Sequence, residues 1–230
     1  MSEEAVDHAA HEALHAEGVV DLLGALSYAE LTAFSRLAAD SDLAPTQPLK
    51  ARMATLAVAE FRHYESLVAT LEQLGAVPER AMAPFIPAIS SFHERTRPGS
   101  WLEGLVKAYI GDGIATDFYT EVARYVDEPI RGVILAALQD VGQAEFVVTV
   151  VREAIRADPK VAGRLALFGR RMVGEALTQG QQVAVERDGL AALFVAGAGR
   201  DGADLAEVGR MFARITDRHS MRMARLGLSA

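Results

Sequence analysis

Glu60 and His63 stand three residues apart in a stretch that reads as one long helix over residues 49–75. Three residues is close to one helical turn, so both side chains leave the same face. Met53, Leu56, Ala57 and Leu67 flank them at helical spacing, which makes that face apolar. A carboxylate and an imidazole aimed into a core cost free energy unless a partner compensates them. A metal ion is one such partner, and carboxylate oxygen with imidazole nitrogen is a donor set suited to iron-type metals.

The same test finds further candidates. Glu30 sits in the preceding helical stretch among Leu23, Leu26, Phe34 and Leu37, so it too faces a core. Asp112 lies downstream among Leu105, Tyr109, Ala115 and Tyr119. Asp140 and Gln143 repeat the three-residue spacing, at nearly the interval from Asp112 that separates Glu60 from Glu30. The order is carboxylate, Glu-x-x-His, carboxylate, Asp-x-x-Gln. Two-metal carboxylate bundles place a Glu on each of two helices and Glu-x-x-His on each of the other two. The second half here has shorter carboxylates, and a Gln amide is a poorer ligand than imidazole. Glu145, near Leu138, Val141 and Val148, rivals Asp140 for the last carboxylate position. Gln143, Glu145 and Tyr109 are candidates either to touch the metal or to orient its ligands, and Tyr28 and Tyr119 to line the site. Asp117 and Glu121, with Gly113, Thr120 and Arg124 around them, read as a solvated face. His8, His11 and His15 read as a solvated N-terminal helix or tail. The alternative for the inward set is a buried polar network satisfied by Arg or Tyr.

These residues need long helices to position them, and the chain supplies the pattern. Helices are expected over 18–40, 49–75, 100–126, 129–157, 159–187 and 203–226. Pro45 and Pro48 mark the first loop, Gly75 a helix stop, Ser100 an N-cap, and Pro129 a helix start. Pro78, Pro84 and Pro87 interrupt residues 76–100, which read as a long crossover with a short helix near 86–96. The result is an all-α fold: a four-helix bundle of two antiparallel hairpins joined by that crossover. Its core covers about 18–157, and the helices of about 159–226 pack onto it within one domain of residues 1–230.

Half of the 230 residues are hydrophobic, enough for a substantial core. There is no Cys, hence no disulfide framework and no thiolate metal site. No apolar run approaches the ~20 residues of a membrane span, and Met1-Ser2-Glu3-Glu4 is acidic where a secretory signal is basic. A cytoplasmic protein is the expectation. The net charge of −8 argues against nucleic acid as a general partner.

The chain resembles the ferritin-like tRNA-modifying hydroxylases of methylthio-isopentenyl-adenosine, and more closely the actinobacterial proteins grouped as MiaE-like. Ser27-Tyr-Ala-Glu30-Leu-Thr-Ala-Phe34, Ala59-Glu-Phe-Arg-His63, Trp101-Leu-Glu-Gly-Leu-Val-Lys-Ala-Tyr-Ile-Gly-Asp112-Gly and Gly142-Gln-Ala-Glu-Phe146 carry the resemblance. With Arg164-Leu-Ala-Leu-Phe-Gly-Arg-Arg171 it covers most of the chain. It implies a ferritin-like fold and a non-haem di-iron centre that activates O₂ for hydroxylation, with Glu30, Glu60, His63, Asp112 and Asp140 as ligands. The family pattern has His where this chain has Gln143, which weakens the second iron position: the cofactor expected is di-iron, with a single site or a lost one as the alternatives. A metal-free scaffold for binding or dimerisation is the competing reading. The substrate is a small molecule or RNA, for which Arg164, Arg170 and Arg171 are the nearest basic approach; a homodimer is an allowed assembly.

Overall fold

A computed structural model describes residues 3–138, 143–187, 189–190, 193 and 205–230, without the side chains of 3–11, 143–144, 184 and 205–208. All regular structure among them is helical. In chain order the helices are α1 (Glu3–Asp40), α2 (Gln47–Gln73), α3 (Pro78–Met82), α4 (Ile86–Arg95), α5 (Trp101–Val122), α6 (Ile130–Ala137), α7 (Gln143–Ala157), α8 (Lys160–Glu186) and α9 (Leu205–Leu226).

α1 and α2 form the first hairpin and pack closely along their lengths. α1 is longer than its expected 18–40 and runs through Gly18 without a break. A side chain at Gly18 would overlap the Gly189 carbonyl, so the glycine marks a close approach and not a boundary. Thr46 caps α2, its hydroxyl accepting from the Leu49 N–H at 3.4 Å. Gly75 ends it with φ 76°, and the Ala76 N–H returns to the Leu71 carbonyl at 3.0 Å.

The crossover holds α3 and α4 with one 3₁₀ turn, Ala83–Phe85, between them. Ser100 then caps α5, accepting from the Glu103 N–H at 3.3 Å, while Glu103 accepts from the Gly99 N–H at 2.7 Å. The expected continuous helix over 129–157 is instead two helices, α6 and α7. Leu138 already leaves helical geometry at φ −100°, ψ 9°, and Gly142 weakens helix propensity just before α7 begins. The two pieces divide the work of a fourth helix: α6 packs on α2, and α7 on α5. α8 and α9 both pack against α5, and α4 lies on α8.

The buried side chains fall into two clusters. Leu22, Leu26, Leu67, Phe85, Val122 and Ile134 fill one end; Met53, Leu105, Ile110, Val151, Met172 and Ile215 fill the other. Glu30, Glu60 and His63 sit on α1 and α2 between the segments that feed the two clusters. Among the described residues, no helix is long and apolar enough to cross a membrane.

Candidate metal centre

Glu30 comes from α1, and Glu60 and His63 from facing turns of α2. One donor atom from each lies within 4.8 Å of the others. His63 Nδ1 is 3.5 Å from Glu30 Oε2 and 3.6 Å from Glu60 Oε2. These separations are long for hydrogen bonds. Two donors each about 2.1 Å from one ion stand roughly 3.0–3.4 Å apart, depending on the angle between them. The observed separations lie a little beyond both ranges, so a shared ion would need the donors to close by a few tenths of an ångström.

Burial sharpens the point. Glu30 and Glu60 are 8% and 4% exposed. Burial pushes the Glu30 carboxyl well above the usual carboxylate range; His63 opposes this and Glu60 adds to it. Glu30 and Glu60 in turn raise His63 to about 10, against a desolvation that would lower it. Glu30 Oε2 and His63 Nδ1 are both buried without a hydrogen-bond partner. Buried polar atoms are seldom left so, and a cation held by all three residues would satisfy them.

The other candidates are placed differently. Asp112 lines the same cavity as Glu30 and Glu60 but is exposed. Asp140 lies outside the described residues, as does the side chain of Gln143, whose backbone opens α7. Glu145 is exposed and ion-paired to Arg225, which also bonds Tyr109. That arginine, and not a metal, takes up the Glu145 charge. The Tyr28 hydroxyl pairs with Ser90 Oγ at 3.2 Å. Tyr119 is buried and lines the cavity. The side chains of His8 and His11 fall outside the described set; His15 is half-buried. Arg164 pairs with Glu103 at 3.3 Å and Arg170 donates to the Ser229 carbonyl at 3.0 Å.

Asp117 and Glu121 correct the sequence reading most clearly. They are 6% and 2% exposed, not solvated. α9 carries Arg214, Arg218 and Arg222 along one face, and these reach across to them. Arg214 meets Glu121 at 2.8 Å, Arg218 meets Glu121 at 3.2 Å and Asp117 at 3.4 Å, and Arg222 pairs with Asp117. Arg124 completes the set on Glu121 at 2.7 Å. The signal was in the sequence: carboxylates four apart on one helix, arginines at the same period on another. These two acidic groups of α5 are thus compensated by guanidinium.

A cavity of about 260 Å³ runs past the centre. Glu30 and Glu60 lie on its wall near mid-length, with Leu22 and Val122 towards one end and Asp40 and Lys107 towards the other. Solvent reaches it at Arg36 and Asp112, which line it and are exposed.

A search of curated proteins finds no match to the chain. Residues 13–197 match the model of a family described as the ferritin-like domain of actinomycetes. The span includes Glu30, Glu60, His63, most of α1 and the helices from α2 through α8, and the chain belongs to that family.

Proposed function

We propose that the protein is a ferritin-like, iron-dependent oxidase or hydroxylase whose metal is held by Glu30, Glu60 and His63. The observation that carries this is the pair of buried atoms that make no hydrogen bond, Glu30 Oε2 and His63 Nδ1, with a Glu60 oxygen within 4.8 Å of both. Two carboxylates would balance the charge of a divalent ion, and one neutral imidazole completes a donor set without sulfur. Iron, when bound, would supply the activation of O₂. The rest falls to the chain. Glu30 and Glu60 present their carboxylates to the cavity, so substrate can approach the centre from that side. The apolar walls exclude bulk water from it. Tyr119, buried beside the centre, is kept protonated by its burial and by the Glu30 charge, and so offers a phenol donor there. Asp112 is the candidate for a second metal, since it lines the same cavity.

A second reading has its own support. With His63 raised to about 10, an imidazolium between two carboxylates is a self-compensating group that needs no metal. That favours a scaffold descended from a metal protein. An RNA substrate, which the hydroxylase resemblance suggests, is less well supported: Arg164 and Arg170 are engaged within the protein, and the net charge is −8.

Anaerobic Fe(II) loading, desalting and elemental analysis separate the two. About one equivalent retained by the wild type, and little by Glu60→Gln or His63→Gln, is the expected result. Iron well below half an equivalent in the wild type, or equal iron in all three proteins, would overturn the metal reading.

A further inference from the structure

The cavity is not symmetrical along its length. Along α1 it extends from Leu22 to Asp40, about 27 Å at roughly 1.5 Å per residue. The cavity, about 260 Å³, is thus an elongated tunnel partly open to solvent. An extended alkyl chain matches that length and the largely apolar lining. One end is apolar, with Leu22, Phe85, Val122 and Leu190. The other holds Arg36, Asp40, His93 and Lys107.

Lys107 is 7% exposed. Its ammonium donates to the His93 carbonyl at 3.3 Å and the Thr96 carbonyl at 3.0 Å, which fixes it against the last turn of α4. An ammonium has three donors, so one remains for a ligand. Arg36 adds a second positive charge at the mouth. Asp40 here and Asp112 at the opening oppose them, while Arg97 and Arg171 act on Asp40 and Lys107 from nearby, so positive charge exceeds negative at this end. His93 Nδ1 is buried there without a partner. A cationic or neutral head group would leave the surplus charge unmatched, whereas a carboxylate compensates it and accepts from both cations.

We infer that the tunnel binds a long-chain carboxylic acid lengthwise, its carboxylate between Lys107 and Arg36 and its chain running past Glu30 and Glu60 towards Leu22. Binding of the acid stands on the tunnel alone; only the consequence that interior carbons face a metal rests on the function proposed above. Glu30 lies about 15 Å from the Asp40 end and about 12 Å from the Leu22 end along the helix axis, so interior carbons of the chain, and not its carboxylate, pass the centre.

The test uses full-length protein stripped of metal, with calorimetric titration of hexadecanoic acid and of hexadecan-1-ol. The acid should bind at least tenfold more tightly than the alcohol. Arg36→Ala, an exposed position whose change leaves the core intact, should remove most of that preference. Gly180→Leu should weaken both ligands at least tenfold. Gly180 lines the tunnel, a Cβ there meets nothing within 4 Å, and leucine in a helix interior favours folding. Equal affinity for acid and alcohol, an unchanged preference in Arg36→Ala, or full binding by Gly180→Leu would each overturn the inference, as would no binding. Fe(II) loading of the same preparation keeps the two proposals apart. Acid binding without iron uptake upholds the tunnel and ends the metal reading; iron uptake without acid binding does the reverse.

Discussion

Glu121 shows how a buried carboxylate can be held without a metal. Burial alone would raise its carboxyl, but Arg214, Arg124 and Arg218 outweigh it and hold it below the usual range. Its folded pKa is therefore depressed: the stability it contributes is present above the ordinary carboxylate pKa and is lost as pH falls through that range. The partners differ in exposure. The Glu121 side chain is 2% exposed, whereas those of Arg214 and Arg218 are 33% and 32%. Stranded arginines can turn to water; a stranded Glu121 cannot. Replacing Arg124, Arg214 and Arg218 together with Met, which leaves Glu121 no cation, should thus cost roughly 3 kcal/mol or more, and Glu121→Ala clearly less. Urea denaturation with unchanged m-values would measure both, and the reverse order would mean the arginines do not compensate this site. The same contrast explains what was legible at this scale. Glu30, Glu60 and His63 stood out because their own helical neighbours are apolar. Asp117 and Glu121 did not, because Gly113, Thr120 and Arg124 disguise them and their partners lie about a hundred residues away on α9. Gly113 is part of that contact, since a Cβ there would overlap the Arg222 guanidinium on its way to Asp117.

At the scale of elements, boundaries with a local chemical cause could be read from sequence, and those set by distant packing could not. Gly75 and Ser100 stop and start helices through their own conformation and hydrogen bonds. The break between α6 and α7 has no proline and only Gly142 as a local sign, and the apolar periodicity on either side runs in step across it. α1 continues through Gly18 for the opposite reason: the glycine answers to Gly189, far along the chain. Ser100 is the start that matters for the tunnel, because α5 carries Lys107, Asp112 and Tyr119 along it. Its hydroxyl accepts from the Glu103 N–H at 3.3 Å and receives the Arg164 guanidinium at 3.4 Å. Ser100→Ala should cost about 1 kcal/mol, and Ser100→Asp, which restores an acceptor at the helix N-terminus, should recover most of it. Thermal melts of the three proteins check this; an unchanged midpoint in the alanine variant would show that Glu103 alone secures the end.

The tunnel belongs to the whole molecule, which is why no single stretch of sequence announced it: α1, α4, α5 and α8 each contribute one wall. Its charged end also couples ligand binding to pH. Burial pulls Lys107 down to about 8, with Arg36 and Arg171 acting in the same direction and Asp40 opposing. The groups that act on it are Arg36 and Asp40 from α1, His93 from α4 and Arg171 from α8. The arginines stay charged throughout. Burial, with Lys107 and Arg36, pushes His93 down to about 3, so it is neutral at any working pH. Burial raises Asp40 from the ordinary carboxylate value, with Lys107, Arg36 and Arg97 opposing. Lys107 changes charge near pH 8. In the ligand-free protein its folded pKa lies below the unfolded value of about 10.4. The unfolded chain binds the extra proton between those values, so stability should rise with pH from about 8 to about 10.4. With hexadecanoic acid in the tunnel the sign reverses, because loss of the ammonium removes the partner of the carboxylate. Acid affinity should fall as pH climbs through about 8, while affinity for the alcohol stays level. Lys107→Met should abolish both trends, and its comparison with wild type at pH 7.5 and 9.5 isolates them from every other titrating group. A pH-dependent acid affinity that survives in Lys107→Met would place the carboxylate elsewhere in the molecule.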